Sequence, residues 1–197
     1  MIKKAFTWIA VMATIAALAA SNVFAIDKEA GTTAGVPPRV VADYLRAVIM
    51  AHRHFYTLNI INRLVSAGVV DVSENWRGTH ALPLPVQLLK ETSEIAELTG
   101  PHVRYQLISQ WPINKANAPS TEFERRGLEE VKAHPNRPYY GIIESNGAKL
   151  FGALYADLAV TSVCISCHNS HPSTPKSDFQ PGDVMGGLLI TFPVANR

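Results

Sequence analysis

YYGIIESNGAKLFGALYADLAV, residues 139–160, is the stretch that decides the architecture. Two runs rich in aliphatic and aromatic residues, 139–144 and 149–160, flank Asn146-Gly147. That dipeptide tolerates the positive φ angles of a tight two-residue turn, so the pair reads as a β-hairpin. A hairpin makes antiparallel neighbours, whereas parallel strands need a crossover of roughly a dozen residues or more. Downstream, residues 184–194 read as a further strand, and Gly186-Gly187 inside it predicts a bulge or a close backbone approach. Upstream, residues 103–109 alternate apolar and polar side chains and predict one more strand.

The helices lie mostly before the hairpin. Pro37-Pro38 can open a helix, and the pattern over residues 39–67 is helical, about 40 Å long at 1.5 Å per residue. Val41, Tyr44, Leu45, Val48, His52, Phe55 and Tyr56 share one side at the 3.6-residue period, and Gly68 is the stop. Residues 69–84 read as a loop, and 85–99 as a second helix ended by Gly100. Thr121 with Glu124 forms a capping-box start for a third helix, through Ala133. The order helix, helix, strand, helix, hairpin, short turn, strand predicts an α+β fold: an antiparallel sheet with helices packed on one side. No internal repeat is present.

The N-terminus reads as an export signal. Lys3 and Lys4 precede an uncharged stretch from Ala5 to Ile26 that closes on Val23-Phe24-Ala25, with small residues where a signal peptidase inspects. Cleavage after Ala25 would leave 172 of the 197 residues. Residues 26–36 would be a polar, flexible lead-in, and 37–197 a single domain. The alternative is an uncleaved anchor, since the apolar stretch approaches the roughly 20 residues needed to span a bilayer. Loss of the two lysines takes the net charge from +2 to neutral, which argues against a nucleic-acid partner. The expected location is periplasmic or secreted, with no membrane span once the signal is removed.

Both cysteines of the chain fall in Cys164-Ile165-Ser166-Cys167-His168, the C-x-x-C-H pattern of covalent haem attachment. Two thiols three positions apart lie on neighbouring faces of one helical turn, where each can add to one porphyrin vinyl group. The next residue presents an imidazole to the iron from the same side. One haem c, held by Cys164 and Cys167 with His168 as proximal ligand, is the expectation. Two other chemistries use the same residues. A thiol oxidoreductase would use the C-x-x-C pair, but the βαβ surroundings of such a motif are missing. Zinc could take Cys164, Cys167, His168 and His171, although four ligands within eight residues are unusually crowded for a structural site.

A wider set of residues carries a resemblance. Val103-Arg104-Tyr105-Gln106-Leu107, then Phe123-Glu124-Arg125-Arg126, then the haem motif continuing through Asn169-Ser170-His171-Pro172, Pro175-Lys176 and Gly182-Asp183-Val184-Met185-Gly186 follow one order. That order resembles a PAS-like c-type haem domain family, over roughly residues 43–194. Members occur as extracytoplasmic sensor regions of histidine kinases, nucleotide cyclases and chemoreceptors, and as free-standing secreted proteins. The resemblance implies a PAS-like antiparallel sheet that holds haem and senses redox state or small gases, or carries electrons. It also implies a local role for His171, bonding a haem propionate or ordering its loop. Some free-standing relatives use a distal cysteine thiolate, and this chain has no third cysteine.

The sixth iron position decides between function classes. A strong histidine or methionine there suits electron transfer, and a vacant or displaceable site suits gas binding. On the long helix His52 is placed near the centre of the apolar side, with Met50 and His54 nearly opposite. His52, then His54, then His80 in the loop are the candidates, beside an open site. Met185 reads as core. Arg104, Arg125, Arg126 and Lys176 could pair with propionates or simply with surface acids. Trp76, Trp111 and Phe151 could wall the porphyrin or pack a core. The expected activity is a redox or small-gas (NO, CO, O2) sensing module, acting through a redox or membrane signalling partner. A periplasmic electron carrier is the alternative. No base or nucleophile beside the motif assigns a reaction.

Overall fold

The long helix sets the geometry of the rest of the domain. A computed structural model describes residues 35–194 apart from Pro101, Asn146 and Val160, so the expected signal segment and most of the lead-in lie outside the described residues. Helix α1, Pro38–Phe55, starts with proline in its first turn and continues unbroken through a π-helical stretch, Tyr56–Ile61, into a last α-helical turn, Asn62–Ser66. The whole rod is 29 residues. It stops where expected, with Gly68 at φ +65°. Among the described residues no helix is long and apolar enough to cross a membrane.

Its buried side only partly overlaps the one that the apolar spacing picks out: Val41 and Leu45 pack against the core and Tyr56 is half-buried. Ala42 and Ile49 are buried against the sheet, and Arg53 and Thr57 continue the same line. Tyr44, Val48 and Phe55 remain 70%, 56% and 60% exposed. The reason lies in two arginines. Arg46 lies over the Tyr155 ring, 5.2 Å from its centroid, and Arg53 pairs with Asp157. Arg53 is largely buried and Arg46 is exposed over Tyr155, so the side of the helix that meets the sheet looks polar in sequence although both guanidinium groups have partners.

Four strands, β1 (Arg104–Ile108), β2 (Tyr139–Ser145), β3 (Ala148–Leu158) and β4 (Val184–Pro193), form one antiparallel sheet in the order β1-β4-β3-β2. Helix α2, Pro85–Thr99, and helix α3, Glu122–Ala133, complete the framework. Ala153, Tyr155, Leu188 and Ile190 pack with Ala42, Ile49 and Leu89 on one face. Leu154, Leu189 and Ile108 pack with Leu128 and Val131 of α3 on the other. Helices therefore cover both faces, where one covered face was expected. β3 carries the signal: residues 151–155 are all buried, as in a strand enclosed on both sides rather than one alternating between core and water.

Two local expectations hold in detail. Thr121 Oγ1 accepts from the Glu124 amide at 3.2 Å, while Glu124 Oε2 accepts from the Thr121 amide at 3.2 Å and the Ser120 amide at 2.5 Å. At Gly186 a Cβ would stand 2.3 Å from the Ile108 carbonyl oxygen, so β1 closes on β4 only over a bare α-carbon. The register also shifts between Asp157 and Leu158, opposite this point.

Candidate functional site

The chain leaves β3 at Leu158 and enters helix α4, Ser162–Ser170, which carries the C-x-x-C-H motif. Thr161 caps it: its Oγ1 accepts from the Cys164 amide at 3.2 Å and lies 2.9 Å from Cys164 Sγ. No residue of α4 is fully buried. Polar clasps fix it instead. Asn169 Nδ2 donates to the Phe179 carbonyl, and its Oδ1 accepts from the Phe179 amide, both at 3.0 Å. Phe179 is 1% exposed and packs with Ala159 and Met185, with Trp111, Cys164 and Ile165 at the rim of that cluster. The Trp111 ring meets it edge-on at 5.7 Å.

Cys164 is half-buried and Cys167 exposed, and both thiols are free. The His168 ring stands edge-on to Phe179, with centroids 6.1 Å apart, and its Nδ1 is buried without a hydrogen-bond partner. Burial pushes the His168 pKa down; Asp157 pulls it up, and Arg53 and His171 push it further down. The imidazole is therefore held neutral, the form that ligates a metal. Burial raises the Cys167 thiol, with help from Glu74 and Cys164. A thiol held protonated is the reverse of what a C-x-x-C oxidoreductase needs. Among the described residues no three Cys, His, Asp or Glu side chains converge on a point that could hold a metal ion, which leaves the zinc arrangement without a geometry.

The base of the site is an ion pair that sequence reasoning missed. Arg53 reaches from α1 to Asp157 at the end of β3, Nη1 to Oδ1 at 2.5 Å and Nη2 to Oδ2 at 3.2 Å. The two side chains are 14% and 11% exposed. Burial opposes the Arg53 charge, but Asp157 more than compensates and holds its pKa above the ordinary value; Cys164 adds to the same effect. The pair is thus electrostatically coupled to both Cys164 and His168. A lone aspartate inside the apolar run of β3 was its only visible trace in the sequence.

The other candidates divide by place. His171 Nε2 lies 3.8 Å from Glu74 of the 69–84 loop, and its Nδ1 accepts from the Ser173 amide at 3.1 Å, so it ties two loops together. His52 is exposed and lines a cavity between α1 and α2. His54 is half-buried beside Arg53, and His80 is exposed. Arg104 pairs with Glu97 at 3.1 Å and sits opposite Thr191, four rungs along β1 from the end that approaches α4. Arg125 and Arg126 both bind Glu122. Lys176 contacts Asp178 and lies over Phe179, 4.8 Å from its centroid, which brings it to the site. Phe151 belongs to the main core, Met185 to the cluster under α4, and Trp76 stacks with Arg77.

No curated protein and no solved structure matches the chain. One family model does, and it spans residues 17–193, nearly the whole sequence: the chain belongs to the Tll0287-like family.

Proposed function

We propose that Cys164 and Cys167 hold one haem c through thioether bonds, with His168 as proximal iron ligand, in an exported protein that works as a redox- or gas-responsive binding module. One observation carries the reading. An imidazole kept neutral by burial, with an unpartnered buried nitrogen, directly follows two free thiols one helical turn apart. Each thiol adds across a vinyl double bond, sulfur to one carbon and its proton to the other, so protonated cysteines are the reactants required. The bound group would supply an iron centre whose oxidation state and sixth position respond to the surroundings.

The protein supplies the setting. Thr161 and Asn169 fix the two ends of α4, Phe179 sets the plane of the His168 ring, and the Arg53–Asp157 pair fixes the charge beneath it. Arg53 marks the part of α1 that reaches α4. On burial alone His54, which is half-buried, is favoured as a sixth ligand over exposed His52, which opens toward α2, and over exposed His80. This reverses the order that helical spacing gives.

Produced with haem-maturation machinery, the protein should retain its haem through acid–acetone extraction, and its mature N-terminus should be Ile26. A colourless product, or haem that extracts, overturns the proposal. His54→Ala should convert a low-spin six-coordinate spectrum to high-spin, while His52→Ala and His80→Ala leave it unchanged. Carbon monoxide taken up readily by the ferrous protein supports the binding module. Refusal of carbon monoxide, with fast reversible electron exchange, makes it an electron carrier.

A further inference from the structure

Part of the side of α1 that the apolar spacing selects is left open. Tyr44, Val48, Ala51, Phe55 and Leu58 follow one another at intervals of four, three, four and three residues. That is the 3.5-residue repeat of a helix built to pack along another helix. Tyr44, Phe55, Val48 and Leu58 are 70%, 60%, 56% and 46% exposed, and Ala51 is exposed between them. Together the four large side chains present roughly 450 Å² of apolar surface, as much as the largest patch of an ordinary monomer. Beside this stripe, α1 and α2 enclose a mainly apolar groove of about 630 Å³, lined by Leu45, Val48 and Ile49 on one wall and by Leu88, Thr92 and Ala96 on the other.

We propose that this stripe is a homodimer interface, in which α1 packs against α1 of a second copy of the chain. Charge selects the occupant. Between Tyr44 and Leu58 the only Arg, Lys, Asp or Glu residues are Arg46 and Arg53, and both lie on the side of the helix away from the stripe, Arg46 exposed over Tyr155 and Arg53 paired with Asp157. A helix that lies on a membrane carries a basic rim beside its apolar stripe, and this one has none. A charged partner would find no complementary group. An uncharged stripe can face itself without like-charge repulsion, as a two-fold interface requires, since the same patch serves both subunits. The area agrees: two stripes with their flanking residues bury upwards of about 1,000 Å², the range at which a specific interface becomes stable. Ala51 is equidistant in sequence from Tyr44 and Leu58, so a small residue sits where the two helices would cross most closely, whether they run parallel or antiparallel.

Sedimentation equilibrium of the full chain tests this. A concentration-dependent monomer–dimer equilibrium is expected, with the Val48→Asp/Phe55→Asp variant weakening self-association by at least 100-fold while its circular dichroism stays native. In the Cys164→Ser/Cys167→Ser background, Ala51→Cys should give a disulfide-linked dimer under mild oxidation that the same background without it does not give. This second variant keeps the proposal testable if the first fails to fold. A chain monomeric at all concentrations overturns the proposal. So does a dimer indifferent to the double substitution, or a monomer that binds neutral or anionic lipid vesicles through this stripe.

Discussion

β3 and α4 are consecutive in the chain and are held by opposite means. β3 is enclosed on both faces, with residues 151–155 all buried and neighbours hydrogen-bonded on each side. α4 buries no residue completely and is fixed by a threonine cap, an asparagine clasp and an edge-on aromatic contact. The sheet is a finished core whose stability comes from apolar burial. The motif helix is a mounted part, positioned by a few directional bonds, with Cys167 exposed and Cys164 and His168 half-buried against Phe179. Mutations should therefore separate the two: damage to the sheet is global, and damage to α4 is local.

The largest effect is expected at Gly186. Gly186→Val places side-chain carbons where the Ile108 carbonyl already stands 2.3 Å from a Cβ, and should cost more than about 4 kcal/mol or prevent folding, read by urea unfolding. Next is the junction of the two regions. Asp157→Ala leaves Arg53 buried without its partner and should cost about 3 kcal/mol, whereas replacing both, Arg53→Met with Asp157→Leu, should recover most of it. Asn169→Ala removes both bonds to Phe179 and should cost about 1–2 kcal/mol, with faster amide exchange confined to residues 162–180. Thr121→Ala removes a cap on the sheet side and should cost about 1 kcal/mol, lowering the midpoint of the single global transition. Smallest of all, Cys164→Ser with Cys167→Ser should leave the unfolding of the haem-free chain within about 0.5 kcal/mol of the original while abolishing covalent haem. Global unfolding caused by Asn169→Ala would erase the distinction between core and mounted part.

Legibility follows the range of the interaction. The helix over 38–66, the hairpin, the capping box and the close approach at Gly186 are written in residues adjacent to one another, and each was readable. The C-x-x-C-H pattern is of the same kind, since it occupies five consecutive residues. What failed was long range. The rotation of α1 depends on Arg53 meeting Asp157, 104 positions away, and charge at the buried side misdirected a reading based on hydropathy. Coverage of the sheet's second face depends on α3 folding back over it, and only the unbroken apolar run of β3 foretold that.

The π-helical stretch Tyr56–Ile61 holds about one residue more per turn than the α-helix on either side of it. One extra residue carries everything downstream about 100° around the axis relative to an unbroken α-helix, so no single helical wheel aligns the two ends of the rod. Asn62 stands at the downstream edge of this stretch with its Oδ1 buried and unpartnered.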